Sequence, residues 1–208
     1  MSATDEATVR VPFGRPRDES LDAAVLAAVR ELLAEEGYSA LTVHKVTKRS
    51  GVHAKTISRR WSTKAEMVAA AILGGDTELY SGASKKLPTG DLRADLRELI
   101  ARNLTYLAEP ATRAALPALL PEIDASERVS ALVERRDQDY REVIRAVLQR
   151  AIESGDAPAH AAGKEEILRL VLAGSTFNIA FTPGGKSEGI VGELLDALLA
   201  VINQPPSA

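Results

Sequence analysis

The sequence predicts an all-α fold, with a three-helix, helix-turn-helix head at its N-terminal end and a larger helical body behind it. Three observations carry that reading. Ala and Leu dominate the 208 residues while aromatics supply only 4%, a balance that favours helices over sheets. Apolar side chains recur three and four residues apart along most of the chain, without an alternating strand pattern, a βαβ unit or an internal repeat. Finally, Leu41–Lys64 reads as two short helices broken at Ser50-Gly51-Val52, with seven Lys/Arg and no Asp/Glu in a chain of net charge −3. One compact basic segment in an acidic protein is the electrostatic footprint of a phosphate-backbone contact.

Residues 1–17 lack periodicity and contain Pro12 and Pro16, so they read as a mobile arm carrying Arg10, Arg15 and Arg17. Gly14-Arg15-Pro16-Arg17 resembles the core of an AT-hook, a minor-groove reader; a solvated tail with incidental arginines is the competing reading. The first helix is predicted from about Glu19 to Glu36. Leu21, Val25, Ala28, Val29, Leu32 and Leu33 form its apolar stripe, and Gly37 ends it. Thr42 suits the N-cap of the second helix, Val43 and Val46 its inner face, and Gly51 the left-handed position that closes it. His53 or Val52 opens the third helix, whose Ile57 and Trp61 face inward. That leaves Ala54, Lys55, Ser58, Arg59 and Arg60 for solvent or a partner, the arrangement of a helix-turn-helix.

Thr63-Lys64-Ala65-Glu66 is a capping-box signature for a fourth helix, about Lys64 to Tyr80, joining head to body. Lys64 falls in its first turn, beside backbone N–H groups that suit a phosphate. A loop over Ser81–Gly90 follows. The body is predicted as a helix over Asp91–Glu109, a short one from Pro110 that Pro117 and Pro121 interrupt, and a long one over Ser126–Ser154. After a loop from Gly155 to Gly163 come two last helices, about Lys164–Thr182 and Ser187–Asn203. Both are apolar on more than one face, through Ile167, Leu168, Leu170 and Phe177 in one and Ile190, Leu194, Leu195 and Leu198 in the other. Such a surplus must be buried, and a second subunit covers it most simply; two helices merely central in a monomer are the alternative.

The composition bounds the class. With 45% apolar and 26% charged residues, wholesale disorder is not expected. The absence of cysteine excludes disulfides, thiolate catalysis and Cys-ligated zinc. No apolar run approaches the ~20 residues of a membrane span and no apolar signal core is present, so the expected location is cytoplasmic, with no membrane partner. Residues 1–70 hold eleven Lys/Arg against nine Asp/Glu, and residues 71–208 fifteen against twenty. A basic head on an acidic body suits binding nucleic acid at one end.

At this level the match to a known family is specific. Lys-Val-Thr-Lys-Arg-Ser-Gly-Val (45–52), Thr-Ile-Ser-Arg-Arg-Trp (56–61) and Ser-Thr-Lys-Ala-Glu-Met (62–67) resemble the DNA-binding region of the tetracycline-repressor (TetR) family of bacterial regulators. Residues 31–43 resemble the end of that family's first helix and the entry to its second; the resemblance covers roughly residues 20–72, and the rest fits by length and helical content. It implies a head over 18–63 and a regulatory and dimerisation domain over 64–208. It also implies a homodimer that packs residues 164–203 into a four-helix bundle, and a repressor released from a palindromic operator by a small-molecule effector. By resemblance the effector pocket lies among the helices of 91–109, 126–154 and 164–182, with Arg102, Asn103, Tyr106, Phe177 and Asn178 as candidates.

The candidate DNA contacts are Arg15 and Arg17 in the arm, Thr42 and His44 on the second helix, Ala54, Lys55, Thr56, Ser58, Arg59 and Arg60 on the third, and Lys64. Side chains near the start of the third helix reach major-groove base edges, which favours Ala54, Lys55 and Arg59, with His44 reaching from the second. Thr56, Arg60 and Lys64 suit phosphates, which fix register without carrying sequence information. Three positions depart from the family pattern: Ser58 replaces a phosphate-contacting tyrosine, and Thr47 and Ser50 replace small apolar residues. Thr47 is expected to bond back to a carbonyl one turn earlier. A helical scaffold whose basic patch meets an acidic protein or an anionic membrane is the alternative class. Gly184-Gly185-Lys186-Ser187 lacks the first glycine and the preceding strand of a phosphate-binding loop. His44, His53 and His160 show no metal spacing and no nucleophile–base arrangement is visible, so no cofactor, metal or catalysis is expected.

Overall fold

The computed structural model describes residues 19–74, 87–182 and 188–205, and every regular element among them is helical. The N-terminal arm with Arg15 and Arg17, the stretch 75–86 and the Gly-Gly-Lys-Ser segment lie outside the described residues. The head consists of α1 (Glu19–Ala40), α2 (Val43–Ser50) and α3 (Ala54–Arg60). Gly37 adopts φ 81° and ψ 173°, so regular geometry breaks there as expected, although helical structure resumes as far as Ala40. Leu21 departs from the predicted stripe: it is exposed, while Val25, Ala28, Val29, Leu32 and Leu33 are buried.

Local chemistry accounts for the ends of these helices. Thr42 Oγ1 accepts from Lys45 N at 3.3 Å, satisfying a donor that has no partner inside α2. Gly51 sits at φ 72° and its N–H donates to Thr47 O, which ends α2 in the left-handed conformation. Ser50, one of the departures from the family pattern, contributes to this turn: its Oγ accepts from Val52 N at 3.2 Å. Thr47 does not behave as expected. Its buried Oγ1 has no hydrogen-bond partner among the described residues.

The strut between head and body is α4 (Lys64–Leu73). Thr63 Oγ1 accepts from Glu66 N at 3.1 Å, as the capping signature requires. Glu66 reaches back past Thr63 to Ser62 N at 2.9 Å, and its carboxylate also meets Arg128 at 3.1 Å. Seven of its ten residues are buried. The described part of the helix ends at Leu73 with Gly74 as its cap, a residue that loses more backbone entropy in a helix than any other; the rest of the expected span to Tyr80 lies outside the described residues.

The body comprises α5 (Leu92–Ala108), α6 (Pro110–Leu119), α7 (Glu127–Ser154), α8 (Glu165–Phe181) and α9 (Glu188–Asn203). Two sequence expectations fail here. Pro117 lies inside α6 without interrupting it. Both Pro117 and Arg113, whose carbonyl loses its donor, are exposed, so water can take the orphaned acceptor. The expected loop between α7 and α8 contains a 3-10 helix over Ala159–Lys164. Asp91 and Ser126 cap α5 and α7 with their side chains, and Gly155 at φ 81° closes α7.

Packing divides the interior differently from the chain. One core joins α1–α4 to Tyr106, Leu107, Ala111, Ala115, Leu119, Val129 and Ala180 of the body. A second joins α5, α7, α8 and α9 through residues such as Leu96, Ile144, Leu168 and Leu195, and Leu104 packs against both. Helix α1 packs more extensively on α6 than on α2, so one apolar stripe serves head and body together.

Candidate nucleic-acid interface

The two short helices are held from beneath by Val46, Val52 and Ile57, all buried. Ile57 pins α3 at its centre, and the opposite face carries Ala54, Lys55, Ser58 and Arg59, all exposed. Thr42, His44 and Lys48 are exposed beside it, and Thr56 and Arg60 are half-buried. These positions lie on the two short helices of the helix-turn-helix, the arrangement that enters a major groove.

The cations do not all share that edge freely. Arg49 donates to Glu35 from two nitrogens at 3.0 and 2.7 Å and to Glu31 at 3.0 Å. Hydrogen bonding to Glu35 and Glu31 raises the pKa of Arg49, and the bond from Arg49 lowers that of Glu35. Lys45 pairs with Glu36, and Arg60 with Asp22. Four carboxylates of α1 thereby hold three of the seven cations counted in the segment. Lys48, Lys55 and Arg59 form no ion pair among the described residues. Lys64 Nζ lies 4.3 Å from the centroid of the Tyr38 ring and 3.4 Å from Ser39 O, and burial lowers its pKa. Glu31, Glu35 and Glu36 were legible as one acidic edge of α1, but their partners lie nine to eighteen residues away.

A second site opens in the body. A cavity of about 250 Å³ lies among α5, α7 and α8. It brings together Asn103, Tyr106 and Phe177 from the sequence-derived candidates; Arg102 and Asn178 do not line it. Arg102 pairs instead with Glu98 at 2.7 Å, one turn back on α5, and Asn178 is exposed beside Thr182. Asn103 Nδ2 donates to Tyr140 Oη at 2.6 Å, fixing both side chains on one wall. Tyr106 Oη donates to Ile72 O at 3.2 Å, so one side chain lines the cavity and holds the last turn of α4. The Arg136 guanidinium stands 4.3 Å from the Tyr106 ring centroid. Burial raises the Tyr106 pKa, and the charge of Arg136 partly opposes that.

Sequence reasoning placed the pocket against the 126–154 helix but named no lining residue from it. Arg136, Asp137 and Tyr140 line the cavity from positions continuous with the apolar stripe through Val129, Leu132 and Val133. Two charged residues on an inward-facing stripe were the available signal, because such positions are otherwise apolar.

The fold and these surfaces define a helix-turn-helix DNA-binding protein with a ligand-sized cavity behind the head. Comparison with known proteins gives the family. Residues 25–71 match the profile described as bacterial regulatory proteins, tetR family, and residues 87–198 the tetracyclin repressor-like C-terminal domain. The chain is 31% identical over 147 residues to an uncharacterized HTH-type transcriptional regulator, YdeS, of Bacillus subtilis, covering 69% of this chain and 70% of that protein. It is 28% identical over 193 residues to the DNA-binding transcriptional repressor TetR of Mycobacteroides abscessus, covering 91% and 97%. In fold it resembles Salmonella enterica GusR with a TM-score of 0.67 at 16% identity, over 90% of this chain and 98% of that one. The chain belongs to the TetR family of transcription regulators.

Proposed function

We propose that this regulator is a repressor that binds a palindromic operator as a homodimer and is released by a small-molecule effector. The reading divides the chain into an arm over 1–17, a DNA-binding head over 18–63 and a regulatory and dimerisation domain over 64–208. Lys55 and Arg59 read base edges, with Ala54 and His44 beside them, while Thr42, Thr56 and Lys64 face the phosphates; Ser58 lies on the same face, where the shorter side chain weakens or loses the contact of the family's tyrosine. Arg60 serves through Asp22 to seat α3 on α1, and Arg15 and Arg17 follow the adjacent minor groove. Two heads related by a two-fold axis would meet half-sites one helical turn, about 34–36 Å, apart.

The observation that carries the effector half of this reading is Tyr106. It forms a wall of the cavity and donates to the Ile72 carbonyl of the helix that bears the head. A ligand that prefers one position of Tyr106 shifts the head to the matching position; without such differential affinity it shifts nothing. The dimer half rests on Ile167, Leu170, Phe177 and Ile190, large apolar side chains left exposed on α8 and α9.

Fluorescence anisotropy on the duplex upstream of the protein's own gene, titrated across salt against random duplex, tests the proposal. Tight binding that survives competitor and weakens steeply with salt is expected. Binding no tighter than to random sequence, there and in a genome-wide selection, would sink it.

A further inference from the structure

Of the three cations on α2, two are committed to carboxylates of the protein itself. Glu31 and Glu35 stand one turn apart on α1, a spacing at which like charges repel within a helix. Arg49, in the last turn of α2, enters between them. It meets Glu35 with two parallel hydrogen bonds at 3.0 and 2.7 Å and Glu31 with one at 3.0 Å. Such a fork fixes the direction of a guanidinium more firmly than a single contact does. Lys45, one turn earlier on α2, pairs with Glu36. The first helix of a helix-turn-helix crosses the DNA backbone, so Arg49 and Lys45 lie on an element that meets phosphates, yet both are turned to α1.

That division bears on specificity, because phosphate attraction supplies essentially all of the binding to random sequence and only part of the binding to an operator. On random DNA no base contact sets the register, and the head settles wherever its cations find phosphates. Each cation released there adds affinity. On an operator the base contacts of α3 fix the register, and a cation of α2 gains only where a phosphate falls within its reach. Contacts this short lie well inside the screening length of about 8 Å at physiological salt, so the carboxylates keep their hold there. We infer that the acidic edge of α1, formed by Glu31, Glu35 and Glu36, is a determinant of DNA specificity. It keeps Arg49 and Lys45 from the phosphate backbone, which caps affinity for random sequence and leaves discrimination to α3. This rests on the reading of α2 and α3 as the helices that contact DNA.

Salt titrations of anisotropy on random-sequence duplex test the inference. They compare the full wild-type chain, Glu31→Gln/Glu35→Gln, and the triple variant that adds Arg49→Ala. Both glutamates are more than half exposed, so their replacement leaves the fold standing. The double variant is expected to bind random duplex about tenfold more tightly at low salt, with a salt slope steeper by about 0.9 for each head engaged. The triple variant should return to the wild-type affinity and slope. Glu36→Gln should act in the same direction through Lys45. An edge that only fastens α2 to α1 would, once neutralised, leave random binding unchanged or weaken it, and either result would overturn the inference. So would a gain that persists without Arg49, the mark of direct repulsion between the carboxylates and DNA. Selection from a random pool reads specificity itself: the double variant is expected to enrich its preferred sequences less than wild type, and equal enrichment would overturn the inference too. A wild type that enriches nothing removes the operator reading, while the comparison on random duplex still decides the role of Arg49.

Discussion

Arg49 and Arg59 carry the same charge on the same small head, and they differ in what holds them. Arg49 is gripped by Glu31 and Glu35, whereas Arg59 has no such partner among the described residues. A phosphate must compete with two carboxylates for the first and with water alone for the second. Arg59→Ala and Lys55→Ala are therefore expected to cost operator affinity tenfold or more each, since a good base contact contributes about 1–3 kcal/mol. Arg49→Ala should change affinity less than threefold and leave the salt slope intact. Anisotropy at several salt concentrations checks all three; a large loss for Arg49→Ala would contradict the assignment. The same pair makes a pH prediction. Arg49 lowers the Glu35 pKa in the folded state, so the contribution of that carboxylate is present above its unfolded pKa of about 4.3. It is lost as pH falls through the lower, folded value. Glu35→Gln should accordingly flatten the acid limb of the melting-temperature profile below about pH 4.3, an effect kept small by the exposure of the pair.

At the level of elements, α4 is clamped at its last turn by two helices that belong to different parts of the chain. Arg30 Nε of α1 donates to Ala71 O at 2.6 Å, and Tyr106 of α5 to Ile72 O at 3.2 Å. The last carbonyls of a helix have no partner within it, so these side chains act as its C-terminal cap. Tyr106→Phe removes one of the two clamps. Loss of a buried hydrogen bond costs about 1 kcal/mol, visible in urea unfolding, and the variant should also respond less to any ligand in the cavity. Burial keeps Tyr106 protonated above its ordinary pKa. Its contribution is then complete below an unfolded value of about 10 and declines as pH rises through the higher, folded value. Wild-type stability should thus fall above pH 10, and the phenylalanine variant should lose that part of the alkaline decline. A variant with an unchanged alkaline profile would show that another group governs it.

For the molecule as a whole, the second core is completed on its inner side by Leu168, Leu172, Ile179, Leu195 and Leu198, while Ile167, Leu170 and Ile190 are left outside. Leu170 is 53% exposed, so replacing it costs the folded protomer little. Leu170→Glu should hold the chain monomeric in sedimentation at concentrations where the wild type is dimeric. Operator affinity should fall with it, because one head alone reads one half-site. A dimer that survives this change would place the interface elsewhere.

The helices and the family were readable because their signals are local. Thr42, Gly51, Thr63, Ser126 and Gly155 act within a few residues of themselves, and each ends or begins a helix as its chemistry dictates. The helix-turn-helix pattern is likewise a run of adjacent positions, and it identified both the fold class and the kind of partner. Charge count was less informative than charge position. Seven cations were visible in one segment, yet the acidic edge of α1 folds back onto three of them, which no count along the segment reveals. The resemblance gave the three helices around the cavity and Asn103, Tyr106 and Phe177 of its lining, but the contacts across it were beyond reach for the same reason. Arg136 is a charge on an apolar stripe until packing brings Tyr106, some thirty residues earlier, beneath its guanidinium. Backbone hydrogen bonds and caps join near neighbours and are written in sequence order. Ion pairs and cavities join whatever the hydrophobic cores bring together, and those contacts exist only once the chain has closed on itself.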